Sequence, residues 1–202
     1  FGADPHTEGS IYVHGKKVSI KSALDAVKHG IGYLSEDRKQ FGLLLDKDIS
    51  FNTGMAAMDH FTNASVVATK KLRDVAKDYV AKLRTRTPSV DVEVRSLSGG
   101  NQQKVVLSKW LERDCDILIF DDSFSALDVS TDARLREAMG PATAGITKVI
   151  VAQRVSTIVE ADQILVLDGG HLVGSGTHTE LLATCSVYRE IVTSQLGSEA
   201  AA

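Results

Sequence analysis

Cysteine is nearly absent: Cys115 and Cys185 are the two in 202 residues. Two thiols make neither a disulfide framework nor a metal-ligand cluster, so a reducing compartment is the natural setting and both read as packed, inert side chains. Long apolar runs are missing too. Purely apolar stretches such as ILIF at 117–120 and ILVL at 164–167 fall far short of the roughly 20 residues that a membrane helix needs. Neither sign of charge is in large excess, and a net −3 gives no bulk electrostatic reason to expect a nucleic-acid partner. The six histidines are scattered, none at metal-ligand spacing. No stretch of the 202 residues reads as a signal peptide. An initiator Met is lacking as well: the chain opens on FGADPHTEGS and is expected to be a piece of a longer one. No repeat or low-complexity tract is visible before the small-residue tail at 197–202.

What is present is an ordinary globular composition, 43% hydrophobic and 24% charged, with enough chain for one domain and its core. GSIYVHGKKVSI at 9–20 alternates around a Gly-Lys turn and predicts a hairpin. Ser22 caps a short helix that ends at Gly30, and IGYLSED at 31–37 reads as a buried strand entering a polar loop. Residues 38–68 mix Gly, Asn and small residues with apolar ones and stay ambiguous. From Lys70 to Arg84 the pattern is clean. Leu72, Val75, Ala76, Tyr79, Val80 and Leu83 share one helical face, and Pro88 follows the end. Two glycines then precede a helix that turns Val106 and Trp110 inward. The last third alternates strand 116–120, helix about 130–139, strand 147–152, helix about 156–160 and strand 163–168. A hairpin at 171–176 and a helix over about 178–195 complete it. Such alternation implies an α/β fold around a mostly parallel sheet.

Ligands of an open parallel sheet sit at the carboxyl ends of its strands. Glu36, Asp121, Asp122 and Gln153 each come just past an apolar strand, so they are expected to converge on one edge. A single Asp after a strand is common on any surface; four polar residues at corresponding positions are a stronger signal. LSGGNQQKV at 97–105 adds a second one. A Ser followed by two glycines at a helix start presents backbone N–H groups to an anion, and glycine permits close approach to a phosphate. Ser-Gly-Gly alone is more often an ordinary turn. On a helix some twenty residues before an apolar strand ending in Asp-Asp, it is specific. Trp110 reads as core packing rather than an adenine platform, and KKLR at 70–73 as the solvated side of a helix.

With these motifs in this order, the chain resembles the nucleotide-binding domain of ATP-binding cassette (ABC) transporters. LSGGN at 97–101 resembles the family's signature motif, ILIFD at 117–121 its Walker B strand and SALD at 125–128 its D-loop. VIVAQR at 149–154 resembles its switch region and GYLSEDRK at 32–39 its Q-loop region. The resemblance spans nearly the whole chain. It implies an α/β, P-loop NTPase-type ABC ATPase core, mostly parallel sheet plus an antiparallel β hairpin, N-terminally truncated, with a helical subdomain at about 46–110. The implied cofactors are ATP and Mg2+. Asp121 would orient the metal through water, with Asp122, Gln153 and Glu36 in the catalytic positions. Leu97, Ser98, Gly99, Gly100 and Asn101 would form the signature that holds nucleotide bound by a second cassette, and Asp128 would sit at that interface. The loop after Glu36 and part of the helical subdomain would meet a transmembrane subunit, which implies the cytoplasmic face of the cell membrane.

The chain also departs from the family pattern. The phosphate-cradling GxxxxGK-Ser/Thr loop occurs nowhere in the 202 residues. In this family it lies upstream of the segment matched by FGADPHTEG, as does the aromatic residue that stacks on adenine. The chain alone is therefore expected to bind ATP poorly and to expose apolar strand edges. The Walker B aspartate is usually followed by Glu, which polarises the attacking water. Here it is Asp122, one methylene shorter, and a retreat of about 1 Å can cost on the order of 100-fold in rate. Gln153 replaces the usual switch histidine; it can hydrogen-bond a γ-phosphate but carries no proton. Glu36 stands at the Q-loop glutamine position. Asp122 and Gln153 together resemble the degenerate half of heterodimeric exporters, so a slow site is expected beside a nearly intact signature. Residues 1–110 resemble the second cassette of ribose/galactose-type sugar-import ATPases, and residues 116–197 a multidrug or peptide exporter cassette. The change near 111–116 reads as a recombinant, designed or misassembled sequence rather than a natural hybrid. Two other readings stay open: a soluble cassette ATPase outside transport, and an inert binding or regulatory module.

Overall fold

The computed structural model describes residues 1–4, 7–64, 66–124 and 129–196, without the side chains of 129, 130 and 196. They fall into two compact units, Phe1–Val151 and Ala152–Ala202.

The first unit is built on three parallel strands. β1 (Ile11–Val13) and β2 (Lys16–Val18) form the expected hairpin ahead of them. Ser22 then caps α1 (Ala23–Lys28), its Oγ accepting the Asp25 N–H at 3.2 Å. Gly30, at φ +72°, turns the chain into β3 (Ile31–Leu34). β3 pairs in parallel with β6 (Ile117–Asp121), and β6 with β7 (Thr147–Val151). Leu34 lies opposite Phe120 and Asp121 opposite Val151, so the carboxyl ends of all three strands are level. β6 is central and buries Leu118 and Phe120. β7 leaves Val149 and Val151 about half exposed, at 48% and 52%.

Residues 38–68, ambiguous in the sequence, resolve into pieces too short for a period to show. They are one turn of π-helix (Arg38–Gly42), α2 (Ile49–Gly54), a 3-10 turn (Met55–His60) and a small hairpin, β4 (Thr62–Asn63) with β5 (Val66–Val67). Asp48 caps α2, its Oδ1 accepting the Phe51 N–H at 2.7 Å. α3 (Thr69–Lys82) buries Leu72 and Ala76, with Leu83 just past its end, and half-buries Val75, Tyr79 and Val80, the face that its 3.6-residue period marks. α2 packs on α3 and on α4 (Gly99–Glu112). One buried cluster joins Leu34, Leu118 and Phe120 of the sheet to Ile49, Leu83, Val106 and Trp110 of the helical segment. Trp110 is therefore a core residue, in edge contact with the Phe1 ring at 5.8 Å. α5 (Val129–Ala142) leads on to β7.

In the second unit a 3-10 turn, Val155–Thr157, stands where a helix at 156–160 is predicted. β8 (Ile164–Asp168) does not join a parallel sheet; it pairs antiparallel with β9 (His171–Gly176). Strand 163–168 and the stretch 171–176 are thus two arms of one hairpin. The reason is Gly169-Gly170, both at positive φ, +55° and +81°, the geometry of the tight turn whose twist matches antiparallel strands. The predicted helix 178–195 is two helices, α6 (His178–Thr184) and α7 (Ser186–Leu196), broken at an extended Cys185. Thr, Cys and Ser in succession are weak helix formers, and Cys185 is buried with Leu181, Tyr188 and Val192.

Candidate functional site

β3 and β6 deliver three of the four predicted strand-end residues to neighbouring positions. Asp121 closes β6 beside Val151. Its Oδ2 accepts the Tyr33 phenol at 2.5 Å, and Tyr33 stacks on Phe1 with ring centroids 5.1 Å apart. The Tyr33 phenol is pushed up to about 12, by burial first and then by its bond to Asp121 and that residue's charge. It therefore stays a donor and pins one oxygen of Asp121. Glu36, exposed two residues beyond the last pair of β3, also raises Tyr33 through its charge. Asp122 is buried and at φ +44°. That conformation strains most L-residues and suits Asp better than most. Its N–H donates to the Val151 carbonyl at 3.0 Å, carrying the ladder one residue past β6. Ser123 Oγ then donates to the Leu34 carbonyl at 2.6 Å and ties this loop to the end of β3. Gln153 lies in the second unit, where its carbonyl accepts from Gln195 Nε2 at 2.7 Å.

Among the described residues no cluster of three His, Cys, Asp or Glu could cage a metal. Mg2+ does not ask for a cage: it keeps waters and takes one or two carboxylates plus substrate phosphates. Asp121, with one oxygen held by Tyr33, fits as a single outer ligand to an ion that comes with a nucleotide.

The second predicted element opens α4. Leu97 packs against the core and Ser98 is the N-cap, exposed and with no side-chain cap bond of its own. The first amides of the helix therefore lack partners within it. Gly99 and Gly100 follow. A Cβ on Gly100 would lie 2.3 Å from Thr131 Cγ2 of α5, so only glycine lets these helices meet here. Asn101 ties the helix start to the segment at Arg86: its Nδ2 donates to Ser98 Oγ at 3.1 Å and its Oδ1 accepts the Arg86 N–H at 3.0 Å. A cavity of about 350 Å³ lies against this helix start, lined by Ser98, Gly100, Asn101 and four cations. Asp128 and the rest of SALD lie outside the described residues.

With an apolar parallel strand ending in paired aspartates and, separately, an uncapped Gly-Gly helix start, the chain matches known proteins. The ABC transporter family model covers residues 1–125. The chain belongs to that family. It is 45% identical over 177 residues to a Burkholderia lata protein named for ribose, galactose and methyl galactoside import, covering 86% of this chain and 35% of that protein. A ribose import ATP-binding protein of Geobacillus kaustophilus is 36% identical over 84% of this chain and 35% of its own length. A bacterial ABC exporter solved with ATP bound superposes with a TM-score of 0.70 at 28% identity, over 93% of this chain and 32% of that one. The chain thus spans about 35% of the length of the curated relatives it matches. At 86% coverage, the likeness to an import protein reaches across both sides of 111–116.

Within this ABC-family chain, sequence reasoning missed Tyr33 and the cations of the cavity, Arg84, Arg86, Lys104 and Arg134. Tyr33 falls opposite Ile119, two residues before Asp121 and hence on the same face. The alternation was visible; the register that aligns the two strands was not. The cations come from three separate segments, and nothing local links them.

Proposed function

We propose that the chain is the ATP-binding cassette portion of a membrane transporter, with a slow catalytic site of its own and a working signature that completes a partner's site. The observation that carries this reading is the uncapped start of α4, Ser98-Gly99-Gly100, open to a cation-lined cavity. Two cassettes would meet face to face, on the cytoplasmic side of the membrane, with a transmembrane subunit received near the loop after Glu36. The names of the curated relatives support sugar import as the transport class.

On the chain's own side, Asp121 would orient Mg2+ through water. The bound ion would neutralise charge on the transferring phosphates. Asp122 would act on the attacking water from a side chain one methylene short, and Gln153 would hydrogen-bond a phosphate oxygen without supplying a proton. On the partner's side, Ser98 and the amides of Gly99 and Gly100 would hold the terminal phosphate. Asp128 would face the dimer interface. Because phosphoryl transfer depends on positioning and charge stabilisation, dividing a site between two chains ties turnover to their closure.

The test pairs the chain with a partner cassette that carries a phosphate-binding loop. Ser98→Ala should lower ATP turnover of the pair more than Asp122→Asn does. Equal or reversed losses would remove the signature role. No gain in nucleotide binding on adding the partner would favour an inert module.

A further inference from the structure

The π-helical turn Arg38–Gly42 lies directly on α4. A Cβ on Gly42 would stand 3.2 Å from Val106 Cγ2, so backbone meets helix there. Two side chains of α4 reach the turn. Gln102 Oε1 accepts from Arg38 Nε at 3.3 Å, and Lys109 Nζ donates to the Gly42 carbonyl at 2.8 Å. Phe41, the turn's one large apolar side chain, is 68% exposed and adds no anchor. Lys109 is 3% exposed. Its ammonium has that one neutral acceptor and the Trp110 ring, whose centroid is 4.7 Å from Nζ. Among the described residues no carboxylate pairs with it. A buried charge with so few partners is costly, and regaining water relieves the cost.

The titratable groups on the elements packed around α4 are engaged elsewhere. Arg38 of the turn holds Gln102, Tyr33 of β3 bonds Asp121, and Asp48 caps α2. In the 3-10 turn Asp59 pairs with Arg113 and His60 faces Glu112. Tyr79 of α3 also bonds Glu112, and Arg136 of α5 pairs with Asp132. None of them acts on Lys109: burial alone brings its ammonium down to about 8. A group that holds its proton less tightly when buried than in water favours release for as long as it is charged. We propose that the turn Arg38–Gly42 is a strap poised to lift from α4, opened by the charge of Lys109 and closed when Lys109 loses its proton. Short π-helical turns recur at functional sites. This one follows Glu36, beside the seat proposed for a transmembrane subunit, and the ammonium would keep that seat deformable at neutral pH. The strap itself does not depend on that reading.

Hydrogen exchange at the Phe41 amide, which donates to the Asp37 carbonyl at 3.0 Å, reads this opening in the 202-residue chain. After correction for the intrinsic exchange rate at each pH, opening should fall by about tenfold between pH 7 and 9, as a pKa of about 8 in the closed strap and 10.5 in water requires. Exchange at Phe41 should outpace that of the β6 amides by about tenfold or more, which separates lifting of the strap from global unfolding. Lys109→Met should make opening rarer at pH 7 and independent of pH. Lys109→Arg, which stays charged at pH 9, should keep it frequent at both. Trp110, the chain's one tryptophan, gives a second readout: its emission should titrate near pH 8 in the parent chain and not in Lys109→Met. Phe41 exchange at the β6 rate, opening that changes by less than about threefold from pH 7 to 9, the same pH dependence in Lys109→Met, or emission that does not titrate near pH 8 each overturns the proposal. The signature reading fails separately, if Ser98→Ala leaves turnover with a partner cassette intact.

Discussion

Asp122 meets two demands at once. Its backbone sits at φ +44°, where Asp and Asn are tolerated better than longer side chains, and under the proposed function its carboxylate stands where a longer catalytic Glu would act. Asp122→Glu should therefore raise single-turnover hydrolysis on this chain's own side of an assembled pair, by up to about 100-fold if reach alone limits it. The same change should lower stability by less than about 1 kcal/mol, the scale of moderate backbone strain. Quench-flow and urea unfolding read the two effects separately. An unchanged rate would mean that reach is not what slows the site.

At the scale of elements, the approach of α4 to α5 rests on one missing methyl group. Gly100→Ala places a Cβ 2.3 Å from Thr131 Cγ2. Alanine favours the helix by about 1 kcal/mol, but overpacking costs about 1–3 kcal/mol, so a net loss of up to about 2 kcal/mol is expected by urea denaturation. Adding Thr131→Ser removes the clashing methyl group and should recover most of it. In the second unit, Thr177 and Glu180 form a capping box at the start of α6, with the Thr177 N–H donating to Glu180 Oε2 at 2.8 Å. Thr177→Ala should cost about 1 kcal/mol, read by hydrogen exchange at α6.

Over the whole molecule, buried titrating groups set the alkaline stability profile. Burial pushes the Lys109 ammonium down to about 8, while its Nζ donates to the Gly42 carbonyl at 2.8 Å. Below 8 Lys109 is charged in both states; above 8 the unfolded chain binds the extra proton, so stability rises with pH toward 10.5. Lys104, also depressed, acts in the same direction. The acids oppose this. Burial first pushes the Cys115 thiol up to about 11, so its contribution falls as pH rises from 9. Tyr33 and Tyr79, both raised to about 12 and by burial first, follow from 10. Stability under reducing conditions should therefore climb between about pH 8 and 9 and decline above about 10. Lys109→Met should flatten the climb and raise stability at pH 7; an unaltered profile would show that Lys109 does not set it.

The sequence by itself determined what is local or periodic. Ser22 and Gly30 bounded α1, the buried face of α3 was legible in its 3.6-residue spacing, and the Asp-Asp strand end and the Ser-Gly-Gly helix start stood out as chemistry at predictable places. Each depends on neighbours a few residues away, whose geometry the backbone dictates. Tertiary structure decided the rest. It set the register that lays Tyr33 against Asp121, the antiparallel hairpin of β8 and β9, the break at Cys185, and the meeting of Arg86, Lys104 and Arg134 in one cup. Strand register and charge clustering arise from contacts between residues tens of positions apart, fixed by how the whole core packs, and no local pattern encodes them.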